Sequence, residues 1–244
     1  MRPLGMRYWA SMSVASVFGA SLGDFISHNL HLGHWRGVPP LAVLLALTLL
    51  AAGRNRARFV AFYWVAVVII RAAATNIGDL ATHDLRLGDH ALVAVLAILL
   101  LVSALVPAFV GRTVPDARIS RSTEVPETST SYWVTLFLAG TLGTVLGDDA
   151  SDRYGLAAAS LMLCVVLGTL LWLRQRTNAT GNGSYWLTVL AARTAGTSVG
   201  DLLASRHGLG LGLPATTAGA GLLLVGSLLF RQRSVPAVQD QISA

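Results

Sequence analysis

Four aspartates stand where a carboxylate is costly, and they stand at one spacing. Asp24, Asp79, Asp148 and Asp201 each follow a glycine, and each lies fifteen residues after the Trp of a Tyr-Trp pair. The pairs are Tyr8-Trp9, Tyr63-Trp64, Tyr132-Trp133 and Tyr185-Trp186, and the residues between are almost all apolar. An ionised group at the centre of a membrane span costs about 3 kcal/mol on insertion scales, less toward its edge. An acid that recurs four times in such surroundings points to chemistry with something positive, either a proton or a cation.

The residues at four-residue steps from each acid extend the pattern. Toward the N-terminus they are Thr75, Thr144 and Thr197, with Ala20 in the first copy. One step further back come Arg71 and Arg193, with Ser16 and Gly140 in the other two copies. On the far side of the acids lie His28, His83, Asp152 and Ser205. Residues four apart are neighbours on a helix surface. The stripe drifts by about 40° per step, which leaves Arg71 and Asp79 about 80° and about 12 Å apart. Pairing across helices is therefore expected, not pairing within one. The four Asp outnumber the two Arg, and Asp149 and Asp152 add acid at the outer mouth. Unpaired, these six core groups would cost on the order of 10 kcal/mol in lipid. They must face one another or a wet cavity, where surplus carboxylates are relieved by protons or by a bound cation.

The expected activity is transport or conduction of a cation. Asp24, Asp79, Asp148, Asp201, Arg71, Arg193, Thr75, Thr144 and Thr197 would line the pathway. A divalent metal ion, the one cofactor these side chains suggest, would use Asp24, His28, Asp79, His83, Asp148, Asp152 and Asp201. Carboxylate with His suits a transition metal, and carboxylate with Thr oxygen suits a harder cation. An anion held by the two Arg is a variant that the surplus of Asp disfavours. A different class is an intramembrane metal-dependent hydrolase, with zinc on Asp24, His28 and His83 near the outer face and Ser27 beside it. No copy has two His at metalloprotease spacing, however, and no Glu lies in any apolar block. The third class is purely structural, with the polar stripe locking helices together. Membrane hydrogen bonds average well under ~1 kcal/mol, so four acids are a costly lock. His31 and His34 fall in a joint and are expected to be exposed loop residues.

The elements that must position this stripe are eight apolar blocks. The chain is 54% hydrophobic and 12% charged, with mean hydropathy +0.61. That charge fraction is about half that of a soluble domain. The blocks run over 8–30, 38–53, 62–84, 90–110, 132–153, 156–173, 185–206 and 211–230, long enough to cross a bilayer as helices. The fold expected is an all-α membrane protein of eight transmembrane helices, arranged as four tandem hairpins. Each repeat holds two spans, so all copies share one orientation, and the axis relating them runs along the membrane normal. Arg at repeats 2 and 4 only makes the halves resemble each other most, so two pseudo-symmetric halves are expected. Residues 1–111 hold helices 1–4, 112–131 are a Pro- and Ser/Thr-rich cytoplasmic linker, 132–233 hold helices 5–8, and 234–244 are a cytoplasmic tail.

Charge placement sets the orientation. Arg54, Arg56, Arg58, Arg112, Arg118, Arg121, Arg174, Arg176, Arg231 and Arg233 all fall on one side, whereas Arg36, Arg86, Arg153 and Arg206 fall on the other. The positive-inside rule puts both termini in the cytoplasm of a bacterial inner membrane. The net charge of +6 is thus read as topology and not as affinity for nucleic acid. The Tyr-Trp pairs would anchor the helices at the cytoplasmic interface. Fifteen residues of rise, about 22 Å, carry the acids to the outer third of the bilayer. Arg2 and Arg7 before an apolar run suggest a signal peptide, but no cleavage site follows and the run joins the repeat. The chain has no Lys, which excludes Schiff-base chemistry and a Lys-dependent phosphate loop. Its one cysteine, Cys164, cannot form an internal disulfide. The Asn178-Ala179-Thr180 and Asn182-Gly183-Ser184 sequons fall on the cytoplasmic side. The partners expected are the lipid bilayer and a small ion or solute, with a homo-oligomer left open.

Just before each acid the chain is small. Gly19 to Gly23, Gly143 to Gly147 and Gly196 to Gly200 are GxxxG segments, and Ala74 to Gly78 nearly matches. Such segments let helix backbones approach in lipid. With the Tyr-Trp pairs, the Thr-x-x-Gly-Asp core of repeats 2 to 4 and the Gly of each joint, the chain resembles a family of bacterial integral membrane proteins. That family is built from four tandem two-span repeats with a characteristic Trp, and it is described only as uncharacterised. The resemblance implies the fold and no activity. Repeat 1 departs from it, with Ala20 in place of Thr.

Overall fold

A computed structural model describes residues 4–54, 59–85, 87, 89–109, 125–126, 128–177 and 181–233. Most of the expected linker, the tail, and the basic residues Arg2, Arg56, Arg58, Arg86, Arg112, Arg118 and Arg121 lie outside them, as does the first sequon. Among the described residues the chain is all-helical. Its helices are α1 (Met6–Asp24), α2 (Gly33–Arg54), α3 (Phe59–Asp79), α4 (Asp89–Phe109), α5 (Thr130–Tyr154), α6 (Leu156–Thr177), α7 (Asn182–Ala204) and α8 (Leu213–Arg233). Among the described residues four segments are long and apolar enough to cross a bilayer: Gly33–Gly53, Phe59–Asp84, Leu156–Thr177 and Leu213–Phe230.

The helices form two shells. α1, α3, α5 and α7 pack side by side in that order, and α7 closes back on α1. The other four lie outside: α2 against α3, α4 against α5, α6 against α7, and α8 against α1. Each outer helix therefore leans chiefly on the inner helix that follows it. The division follows from the side chains. Outer helices show broad exposed apolar faces, such as Val43, Leu44 and Leu47 on α2 or Leu222 and Leu223 on α8. Inner helices α1, α5 and α7 carry the Ser, Thr, Gly and Asp of the stripe and bury most of the Ser, Thr and Gly against one another, with the Asp half-buried. That is why their hydropathy falls below that of a typical span.

Glycine sets how closely the inner helices meet. A Cβ built on Gly19 would lie 2.6 Å from Arg71 Cγ on α3. On Gly143 it would lie 2.6 Å from Arg193 Cβ on α7, and on Gly196 2.6 Å from Ser16 Cβ on α1. The small residues of each inner helix thus receive the Arg-Thr side of the next. Between α5 and α6, Gly155 turns the chain at φ 80 and donates its N–H to Ser151 O at 2.9 Å. Such a backbone favours a residue without Cβ.

Two ends of the inner shell depart from regular α-helix. After Asp24 the chain continues as a π-helical turn, Phe25–Asn29, and after Asp79 as another, Leu80–Asp84. α5 and α7 run through Asp148 and Asp201 as plain α-helix. Widened turns of this kind recur at functional sites. In this feature the first two inner helices resemble each other, whereas the Arg pattern pairs α3 with α7. α2 also begins five residues before the expected 38, and Pro39 and Pro40 lie within it.

Candidate functional site

The four aspartates meet. Asp24, Asp79, Asp148 and Asp201 line one cavity of about 600 Å³ with His28, His83, Asp152, Thr75, Thr144 and Thr197. Among the described residues no side chain donates a hydrogen bond to the carboxylates of Asp24, Asp148 or Asp201. The inner helices run parallel, because the tyrosines near their N-termini gather at one end and their aspartates at the other. Their C-terminal ends therefore add partial negative charge, up to about half a unit each, around the same opening.

Arg71 lies beneath the cavity floor, fully buried. Its Nη1 donates to Thr75 Oγ1 and Thr144 Oγ1, both at 2.8 Å, and to Gly140 O at 3.4 Å. Its Nη2 donates to Thr197 Oγ1 and, at 3.3 Å, to Arg193 O. The threonines are prepared as acceptors. Each sends its own proton to the carbonyl four residues earlier: Thr75 to Arg71 O, Thr144 to Gly140 O, Thr197 to Arg193 O. A hydroxyl whose proton is so used offers only lone pairs. The fourth copy of the position is Ala20, so three hydroxyls surround one guanidinium. The cross-helix pairing expected for Arg71 is realised, but with hydroxyls and carbonyls in place of carboxylates.

Arg193 occupies the matching register on α7 and is also fully buried, yet it does not share this cluster through its side chain. Its leading electrostatic neighbours are the hydroxyls of Tyr132, Tyr63, Tyr8 and Tyr185. Arg71 thus faces the acids and Arg193 the tyrosines.

Those tyrosines correct the expectation that the Tyr-Trp pairs are interfacial anchors. All four are buried, as are Trp9, Trp64 and Trp186. Their hydroxyls form a closed ring: Tyr8 to Tyr63 at 2.9 Å, Tyr63 to Tyr132 at 2.7 Å, Tyr132 to Tyr185 at 2.9 Å, and Tyr185 to Tyr8 at 2.8 Å. Each tyrosine packs edge-on against its own Trp, and Trp64, Trp133, Trp186 and Trp9 lie tilted against the Tyr of the preceding inner helix. Ser129 caps α5 by accepting the N–H of Tyr132 at 3.2 Å, which fixes one corner of the belt. A phenol buried in apolar surroundings needs a partner, and a cycle gives every hydroxyl one donor and one acceptor. Tyr132→Phe opens the cycle. Its expected cost is about 0.6 kcal/mol for each lost bond, read as a small fall in the thermal unfolding midpoint in detergent.

The rim brings further corrections. His34, expected to be an exposed joint residue, lines the cavity. Its Nδ1 lies 3.1 Å from Asp84 Oδ2 and its Nε2 4.0 Å from Asp79 Oδ2, and its ring stacks edge-on with His28 at 5.5 Å. The first turn of α2 carries it back over the opening, which a joint ending at Gly37 did not foresee. Asp149 turns away from the cavity and pairs with Arg153 at 2.8 Å beside an outer groove. Ser27, set beside the hydrolase ligands, is buried and donates to Asn76 Oδ1 at 2.8 Å. Among the described residues no three His, Cys, Asp or Glu side chains lie close enough together to hold a metal ion. The seven residues expected to ligate a metal line one cavity, but no three of them come close enough to share one ion.

No curated protein and no solved structure matches the chain. A family model described as a repeat of unknown function, DUF347, matches it twice, over residues 7–57 with α1 and α2 and over 184–235 with α7 and α8.

Proposed function

We propose that the chain is an eight-span protein of a bacterial inner membrane, built from four two-span repeats, that carries or conducts a hydrated cation or protons. The halves are related by an axis along the membrane normal. Both termini are cytoplasmic, and the acid-lined cavity opens toward the periplasm. Arg174 supports this orientation. It donates to Ser184 Oγ at 2.7 Å and lies 5.0 Å from the Trp9 ring, so basic side chains gather at the tyrosine end.

The observation that carries the reading is that four carboxylates from four helices line one cavity, three of them with no hydrogen-bond donor among the described residues. A cation entering with part of its hydration shell suits such a site better than a bare transition metal, which needs converging ligands. Arg71 closes the floor. It is a tethered positive charge that a cation must meet before going further, as in pores where a fixed Arg sets an electrostatic barrier. Passage then depends on moving the Arg71–Thr cluster.

The test is flux in proteoliposomes, read with a proton-sensitive dye and with labelled sodium, potassium and manganese. Asp79→Asn with Asp201→Asn is expected to lower flux of the transported ion at least tenfold while the protein stays monodisperse and folded. Unchanged flux in the double variant would sink the proposal.

A further inference from the structure

Arg193 is the charged group that a cation pathway leaves unused. It lies at mid-length in α7 and has no exposed surface. Among the described residues its Nε, Nη1 and Nη2 all lack a hydrogen-bond acceptor, and it makes no ion pair. Arg71, only one helix diagonal away, has five acceptors and leaves only Nε without one. The two guanidiniums lie within electrostatic reach of each other, and Arg71 has Asp24, Asp148 and Asp79 within similar reach. Arg193 has the hydroxyls of Tyr132, Tyr63, Tyr8 and Tyr185 within such reach.

A guanidinium keeps its proton in proteins, so its charge is compensated by a partner or not at all. An unpaired buried charge is far costlier than a lost hydrogen bond. The tyrosine ring does not supply that partner. Each hydroxyl donates to the next oxygen around the cycle, and none of the four oxygens accepts a hydrogen bond from Arg193. The partner that Arg193 lacks is therefore a small acceptor that carries negative charge. The acid-lined cavity at the other end repels any anion from that side.

We propose that a monatomic anion of the halide class, chloride foremost, binds on the axis between the four-tyrosine ring and Arg193. The guanidinium donates to it, and a tyrosine hydroxyl turns out of the ring to donate as well. One ring bond is exchanged for one bond to the anion. The site stands whether or not the outer cavity carries cations.

Full-length protein in detergent and sodium gluconate, titrated with sodium chloride or sodium bromide at constant ionic strength, provides the test. A ligand that binds only the folded state raises its unfolding temperature in a saturable way. The expected result is a rise of a few degrees with either halide and no rise in Arg193→Met. Crystals grown in bromide should show an anomalous peak within hydrogen-bond distance of the Arg193 guanidinium. Should Arg193→Met fail to fold, the bromide peak in the unmodified protein decides alone. Equal unfolding temperatures in gluconate and chloride, a halide response that survives in Arg193→Met, or bromide crystals with only water beside Arg193 would each overturn the site.

Discussion

Arg71→Ala is expected to destabilise the protein by about 3 kcal/mol, at the lower end of what removing one member of a buried charged network costs. Three separate losses add up in this variant. Five charge-assisted hydrogen bonds to α3, α5 and α7 disappear together. A cavity opens at the point where Gly19 had been placed to admit the Arg71 stem. The surplus of carboxylate above the floor also loses its nearest positive charge. Arg193→Met also removes a buried guanidinium at the same register, but fills its volume, and should behave differently. Its three nitrogens have no acceptor among the described residues, so exchanging them for an apolar chain removes an uncompensated charge. Replacing buried charge with well-packed apolar groups is often neutral or stabilising by about 1–4 kcal/mol. In halide-free buffer Arg193→Met should therefore unfold at or above the temperature of the unmodified protein, and Arg71→Ala well below it. Equal losses in the two variants would mean that the hydrogen-bond cluster is not what distinguishes these residues.

This contrast marks where reading the residues stops. The register of Asp24, Asp79, Asp148 and Asp201 is visible as a spacing, and helical rise carries it straight into a shared depth. The cavity follows from there, because isolated acids at that depth would be too costly. Arg71 and Arg193 share a register too, and nothing in their neighbours along the chain separates them. Each has Thr at the following step. Which way a side chain with four torsions turns is decided by what the other three helices present, here Thr144 and Thr197 for one and the phenols for the other. The tyrosines were hidden for a related reason. Tyr8 precedes Asp24 by sixteen residues, about 160° around an ideal helix. Periodicity thus puts the phenol away from the acid face and toward an interfacial role. A closed ring of hydroxyls is a property of four helix ends in space, and its one trace in the chain is the repetition of Tyr itself. Asp149 and Asp152 show the converse. Three residues apart at the same mouth, they read alike, yet only Asp152 faces the cavity.

Gly196→Val is expected to force α7 and α1 apart and to lower stability by at least about 1–3 kcal/mol, the usual range for overpacking a filled interface. A Cβ at this position would lie 2.6 Å from Ser16 Cβ, 2.9 Å from Ser16 C and 3.1 Å from Val17 N. Two of those three atoms are backbone, so no flexible side chain can swing away, and the β-branch adds a second methyl where the first does not fit. α1 carries Asp24 and Tyr8, and α7 carries Asp201, Arg193 and Tyr185. Separating the two helices should therefore stretch the hydroxyl bond between Tyr8 and Tyr185 and widen the acid cavity at once. Gly168→Val on α6 is the matched comparison, since a Cβ there meets nothing within 4 Å. That change also replaces the poorest helix former after proline, so its effect should be neutral to favourable. Unfolding midpoints of the two variants in one detergent provide the measurement. A Gly196→Val midpoint equal to that of Gly168→Val would show that the inner helices do not meet at these glycines.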